Sequence, residues 1–209
     1  MDIELAIKRA GEQMAAWGQA RAALEESRME QVLTAFRNHK IGAHHLGSAT
    51  GYGYGDVGRD TLEEVWAEIF GAEAALVRQQ IANGTQAIYL ALAGNLKPGE
   101  ELLYLGRPYV TLDQVIGAKV ATPCSLADGG VFYREIEIDY EAPDLDVILQ
   151  AIRPETKIVA LQRSRGYEWR PSLAIDVMAN LIRGIKKNYP DIIVFVDNCY
   201  GEFVEHCEP

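Results

Sequence analysis

The sequence predicts an α/β fold: a mainly parallel sheet flanked by helices. Three observations carry this expectation. From Thr61 to Val196, apolar segments of strand length alternate with segments of helical period. The breaks between them are short and marked by Gly or Pro, as at Pro98-Gly99, Gly117, Pro154 and Pro190. The run Ile192–Val196 is apolar at every position, the pattern of a strand buried on both faces.

The first 40 residues read as helix, with Leu5, Ile7, Ala10, Met14 and Trp17 at roughly helical spacing. Gly18 weakens the pattern. Ser27-Arg28-Met29-Glu30 has the form of a capping box that restarts a helix through Val32, Leu33 and Phe36. Residues 41–60 change character: Gly42, Gly47, Gly51, Gly53, Gly55 and Gly58 alternate with His, Tyr and Asp. Such a stretch buries little, and a long glycine-rich loop in a compact chain reads as functional.

Thr61-Leu62-Glu63-Glu64 forms a second capping-box pattern, predicting a helix to about Phe70. Ala74–Arg78 is a short strand candidate. Thr85–Leu96 has a helical period, Glu101–Leu105 is a strand, and Thr111–Ile116 is a short helix. Val131–Ile138 alternates like a half-exposed strand, and Leu145–Ile152 is a helix. Lys157–Gln162 is a strand, Ile175–Asn188 a helix, and Ile192–Val196 the last strand. The chain therefore divides into a helical arm with its glycine-rich loop, residues 1–60, and a sheet domain, residues 61–209.

Composition narrows the function. The 209 residues hold 20 Lys and Arg against 30 Asp and Glu, a net charge of −10, and 48% are hydrophobic. These are globular values. An acidic chain repels phosphate backbones, so nucleic acid is not an expected partner. No apolar run approaches the roughly 20 residues that span a bilayer, and Met1-Asp2-Ile3-Glu4 lacks the apolar core of a signal peptide. Cys124, Cys199 and Cys207 are few and irregularly spaced, consistent with reduced thiols and a cytoplasmic location.

In parallel sheets, ligands bind at the carboxyl ends of strands. That rule directs attention to the neighbourhoods of Gly84, Tyr109, Ser164 and Asp197. Asn83-Gly84-Thr85 opens a helix whose free N–H groups suit a phosphate, or it is a plain N-cap by Asn83. Asp197 ends a buried-looking strand. It could hold a cationic heteroaromatic N–H, bind a metal, or cap the following turn. Gly53 to Gly58 matches G-x-G-x-x-G, but no buried strand precedes it, as a dinucleotide site requires. Cys199, His206 and Cys207 fit no zinc spacing. Tyr52, Tyr54 and Arg59 either reach an anion or lie on a solvated loop.

Together these residues resemble a known family. The stretch from Gly51-Tyr52-Gly53-Tyr54-Gly55-Asp56 to Glu63 is similar to the signature of a pyridoxal-phosphate group. This is the methionine γ-lyase or cystathionine β-lyase-like group often labelled aluminium-resistance proteins. Ala74–Ala87, Gly106–Leu112, Arg163–Tyr167 and Val196–Glu202 are similar to the same group, in order along nearly the whole chain. The resemblance implies the type I (aspartate-aminotransferase-like) fold and pyridoxal 5'-phosphate as cofactor. It implies that Gly84 and Thr85 hold the phosphate, Tyr109 stacks on the ring, and Asp197 pairs with the ring N–H. Tyr54 and Arg59 would reach a neighbouring subunit's phosphate, and Arg165 and Tyr167 would line the substrate side.

The implied reaction is β- or γ-elimination from a small sulfur amino acid by a homo-oligomer, dimer or tetramer. None of Lys8, Lys40, Lys97, Lys119, Lys157, Lys186 and Lys187 matches the family's Schiff-base lysine. By the resemblance that lysine falls beyond Pro209, so no catalytic residue is assigned here. The chain corresponds to the N-terminal half of the enzyme and is expected to be inactive alone. Two alternatives stay open at this point. One is a fragment of another type I enzyme, an aminotransferase or aldolase. The other is a non-catalytic truncated chain that associates through its sheet.

Overall fold

The computed structural model describes residues 2–52, 54–120 and 122–209. Gly53, the first glycine of the G-x-G-x-x-G match, lies outside them. The chain forms two compact units, one running to Gln79 and the other Gln80–Pro209.

The first unit begins with α1, Ile3–Asn38, a helix of 36 residues. Asp2 caps it, its Oδ1 accepting from the N–H of Glu4 at 3.1 Å. Gly18 and Ser27 sit inside this continuous helix, so the expected restart at Ser27 does not occur. Extending a formed helix adds one bond per residue, whereas a new start needs a fresh nucleus. An interior glycine costs only about 1 kcal/mol, too little to break the run. A 3-10 turn, Ala43–Leu46, follows.

Helix α2, Val57–Phe70, starts four residues before the expected Thr61. Its cap is Asp56, whose Oδ1 accepts from the Arg59 N–H at 3.1 Å. Thr61 is thus interior, because a carboxylate already serves the free donors upstream. A Cβ on Gly58 would lie 2.2 Å from the His45 carbonyl oxygen, so only glycine lets α2 approach that turn. Ala35, Val65 and Ile69 are buried in this unit, and Gln31 Nε2 donates to the Ile69 carbonyl at 2.6 Å.

The strand expected at Ala74–Arg78 is not formed. The Val77 N–H donates to the Glu63 carboxylate of α2 at 2.9 Å, and Arg78 pairs with the same carboxylate. The Val77 N–H, a donor that a strand would offer to a ladder, is taken by that side chain.

The second unit holds a four-stranded, wholly parallel sheet. Its strands are β1 (Glu101–Leu105), β2 (Phe132–Ile136), β3 (Thr156–Gln162) and β4 (Ile193–Asp197), in the order β2-β1-β3-β4. Its helices are α3 (Gly84–Ala93), α4 (Leu112–Ile116), α5 (Leu145–Ala151) and α6 (Ile175–Asn188). Alternation along the strands separates two cores. Leu103, Leu105, Val159 and Leu161 pack with Ile148 of α5 and Met178, Leu181 and Ile185 of α6. Leu102, Tyr104, Ile158 and Ala160 pack with Leu92 of α3 and Leu112 and Ile116 of α4.

The fully buried strand is β1, and β3 is buried except at Lys157. Strand β4, expected to be buried on both faces, is half-buried from Ile193 to Val196. Among the described residues it pairs only with β3, and a strand with one neighbour keeps part of its surface open.

At the amino end of the sheet, Glu101 is buried, and its carboxylate takes two bonds from Arg134 at 2.7 and 2.9 Å. Thr156 Oγ1 donates a third at 2.6 Å. Burial is the largest influence and raises the Glu101 pKa, but the Arg134 and Thr156 bonds and the Arg134 and Arg153 charges bring it below its usual 4.5. A depressed folded pKa contributes stability that is present above the unfolded value and lost as pH falls through the folded one. Urea denaturation should therefore show stability declining below pH 4.5, with a shallower decline in Glu101→Gln. Arg134→Met, which strands a buried carboxylate, should lose about 3–5 kcal/mol at neutral pH in the same assay.

Candidate functional site

The carboxyl ends of β3 and β4 and the start of α3 enclose a cleft of about 580 Å³. Gly84, Thr85, Tyr109, Gln162, Asp197 and Tyr200 are among its lining residues. It thereby unites four of the residues singled out from sequence: Gly84, Thr85, Tyr109 and Asp197. A second cleft of about 300 Å³ adjoins it, sharing Tyr109 and Gln162 and lined by Arg165 and Tyr167.

Helix α3 supplies one wall. Asn83 is its N-cap, the side-chain Oδ1 accepting from the Gln86 N–H at 2.8 Å. The cap and the ligand reading of this segment are thus compatible. Asn83 takes the third donor, and the N–H groups of Gly84 and Thr85 have no partner among the described residues. A Cβ at Gly84 would meet nothing within 4 Å, so the approach to those donors is open.

Asp197 is the last residue of β4 and stands opposite Gln162 in the parallel register. It is 8% exposed. Its Oδ1 accepts from the Cys199 N–H at 3.1 Å, and no cationic side chain among the described residues lies within 4 Å. Burial raises its pKa, with the Cys199 bond opposing and the Glu202 charge adding to the rise. The carboxylate is therefore held, desolvated and without a counter-charge, at the mouth of the sheet.

Gln162 was not among the residues singled out from sequence. Its Nε2 donates to the Ser164 carbonyl at 3.0 Å, while its Oε1 is buried with no hydrogen-bond partner among the described residues. The signal was available in the strand-end rule, since Gln162 is the polar residue that closes the apolar run Ile158–Leu161. Arg163, which follows it and opens the motif Arg163–Tyr167, has no role assigned from sequence and is 4% exposed.

The Tyr109 ring lies 5.8 Å from that of Tyr167, centre to centre, with their planes 36° apart. The Tyr109 hydroxyl has a raised pKa, chiefly through its hydrogen bond with Tyr167. The Arg165 guanidinium sits 5.9 Å from the Trp169 ring centre and has no carboxylate partner among the described residues.

Tyr54 and Arg59 belong to the first unit. Tyr54 is exposed and stacks on Tyr52 with ring centres 6.2 Å apart. Arg59 is bound to Asp60 through Nε at 3.0 Å and Nη2 at 2.8 Å. Among the described residues no group of three His, Cys, Asp or Glu side chains could hold a metal, and no helix is long and apolar enough to cross a membrane.

Comparison with known proteins adds a family. The sequence profile described as methionine gamma-lyase matches residues 3–209. The uncharacterized protein YnbB of Bacillus subtilis is 47% identical over 182 residues, 86% of this chain and 43% of that protein. A solved structure from Listeria innocua, named as a candidate cystathionine beta-lyase involved in aluminium resistance, superposes with a TM-score of 0.93 at 42% identity. It is matched by 100% of this chain over 52% of its own length. A carbon-sulfur lyase involved in aluminium resistance from Clostridium novyi gives a TM-score of 0.91 at 37% identity, over 97% of this chain and 49% of that one. The chain thus spans about half the length of the proteins it matches.

The state of Asp197 yields a test without any ligand. An acid whose folded pKa is raised costs stability where it is ionised, and this cost disappears as pH falls. Asp197→Asn should therefore stabilise the free chain by about 0.5–2 kcal/mol at pH 7. The gain should vanish near pH 3.8, the usual aspartate value, as followed by urea denaturation.

Proposed function

The chain belongs to the methionine γ-lyase family, and from that premise we propose that it is the pyridoxal-phosphate-binding half of a carbon–sulfur lyase. The complete protein would cleave a small sulfur amino acid by β- or γ-elimination.

One observation carries this reading: the cleft gathers polar groups whose partners are missing, and their chemistry matches one molecule. The free N–H groups of Gly84 and Thr85, at the positive end of the ten-residue α3, suit a phosphate. The buried, uncompensated Asp197 suits a protonated pyridine nitrogen. The unpartnered Gln162 Oε1 needs a donor, which the cofactor's ring hydroxyl provides. Tyr109 lines the same cleft and offers an aromatic face. The residues present therefore fit pyridoxal phosphate.

When bound, that cofactor supplies an electron sink for the carbanion formed beside the amino group of its substrate. The residues of this chain orient it and set its charge. Asp197 holds the proton on the ring nitrogen, where positive charge draws electrons most strongly. Gln162 Oε1 accepts from the ring hydroxyl, and the start of α3 fixes the phosphate. Arg165 and Tyr167, in the adjoining cleft, contact the substrate. Tyr54 and Arg59 serve the phosphate of a neighbouring copy in a homo-oligomer.

No lysine is among the residues lining the 580 Å³ cleft, and Lys119, in the adjoining one, is held by Asp113 at 2.5 Å. On this reading the chain alone binds the cofactor without turning substrate over.

The test is a fluorescence titration of the purified chain with pyridoxal phosphate. Asp197→Ala should weaken binding at least roughly tenfold, the scale of one lost charge-assisted bond. Thr85→Pro, which removes a donor at the start of α3, should weaken it in the same direction. Unchanged affinity in Asp197→Ala would remove the basis for the cofactor assignment.

A further inference from the structure

We infer that Arg163 is a positioning residue that aims the Asp197 carboxylate, acting through the turn that follows β4. The inference rests on the cofactor reading above and adds to it a residue outside the cleft wall.

Arg163 is buried, and its guanidinium is spent almost wholly on that turn. Nη1 donates to Asn198 Oδ1 and to the Gly201 carbonyl, both at 2.8 Å. Nη2 pairs with Glu205 at 2.5 Å. The Arg163 backbone N–H donates to the Asp197 carbonyl at 2.9 Å. One residue therefore grips the strand end through its main chain and Asn198, Gly201 and Glu205 of the following turn through its side chain. Glu205 extends the clamp, because its carboxylate also accepts from the Ile175 N–H at 3.3 and 3.4 Å, at the start of α6.

The turn does not hold its shape by local preference. Tyr200 and Phe203 have φ values of 69° and 60°, a left-handed conformation that non-glycine residues avoid. Gly201 has no room for a side chain: a Cβ there would lie 2.6 Å from Arg163 Nη1 and 2.4 Å from Asn198 Oδ1. A strained turn persists only where its surroundings over-determine it. Here the surroundings are the guanidinium with its planar fork of donors, together with Glu208, whose carboxylate accepts from the Phe203 N–H at 2.8 Å and from Asn198 Nδ2 at 3.1 Å.

Among the described residues, that turn carries the one hydrogen bond to the Asp197 carboxylate. The Cys199 N–H at 3.1 Å is the donor to Asp197 Oδ1, and Cys199 lies between Asn198 and Gly201, both gripped by Arg163. Tyr200 and Glu202, which line the cleft, ride on the same turn. Loosening the clamp therefore frees the carboxylate that would meet the ring nitrogen, and it does so by changing Arg163 or Glu205, neither of which lines the cleft.

The test uses pyridoxamine 5'-phosphate, whose amine needs no lysine partner, titrated calorimetrically into the 209-residue chain. The variants are Arg163→Lys, Glu205→Gln and Asp197→Asn, with the two double variants that include Asp197→Asn. Arg163→Lys and Glu205→Gln should each weaken binding roughly tenfold. In the Asp197→Asn background each should change affinity less than roughly twofold, because the group they aim is gone. Full, independent effects in that background, or no effect of the single variants, would overturn the positioning role while leaving the cofactor reading in place. Failure of the wild type to bind, or wild-type affinity in Asp197→Asn, would overturn the cofactor reading and this inference with it. Circular dichroism melts check folding. Should Arg163→Lys not fold, Glu205→Gln carries the test, since Glu205 is partly exposed and remains able to accept from Ile175.

Discussion

The register of β3 between its two neighbours is the constraint on which the rest of the second unit depends. Ile158 to Leu161 pair with Leu102 to Leu105 on one side, and Ile158 to Gln162 with Ile193 to Asp197 on the other. A slip of one residue in either pairing would exchange the two core faces and turn Asp197 away from the cleft. The packing makes such a slip costly, because both faces of β3 are filled: Val159 and Leu161 toward α5 and α6, Ile158 and Ala160 toward α3 and α4. Parallel pairing then brings Gln162 and Asp197 side by side at one end of the sheet, and α3, the helix before β1, sets its first residues, Gly84 and Thr85, in the same cleft. The cleft is a product of topology before it is a product of any particular side chain.

The two ends of the sheet treat buried charge differently. At the amino end, Glu101 is met by a forked arginine and a hydroxyl, so its charge is compensated in place. At the carboxyl end, Asp197 has a single backbone donor and a neighbour, Glu202, of its own sign. Arg163 is close in sequence space to the cleft yet spends its charge on Glu205 and the turn. The division fits a scaffold in which one end is built to be finished by the chain itself and the other by something that binds.

Much of the fold was legible in the residues. Strand β1 and helix α6 begin and end where their patterns do, because Glu101–Leu105 is bounded by turn residues and α6 has one apolar stripe of helical period stopped by Pro190. Three differences share a cause: a local motif carries no information on what the neighbouring turn already does. Ser27 and Thr61 have the right chemistry for caps, but the helices they would have opened had begun earlier at Asp2 and Asp56. Ala74–Arg78 has strand composition, and Glu63 of α2 engages its polar groups instead. In the site, Gly84, Thr85, Tyr109 and Asp197 followed from strand ends and a resemblance. Gln162 and Arg163 did not, since a buried oxygen without a partner among the described residues and a guanidinium shared among three distant groups exist only once the chain is folded.

The unmet groups of the cleft give any ligand that fits a second role. A buried carboxylate without a counter-ion and an amide oxygen without a donor both weigh against the empty folded state. A molecule that satisfies them binds only the folded chain, and by mass action draws the folding equilibrium toward itself. A ligand of that kind would couple the survival of the chain to its own supply: where it is scarce, more chains would open and be exposed to proteolysis, and where it is plentiful they would persist. Incomplete polar satisfaction at one end of a sheet thus acts as a gauge, setting how much protein is kept by how much ligand there is to hold.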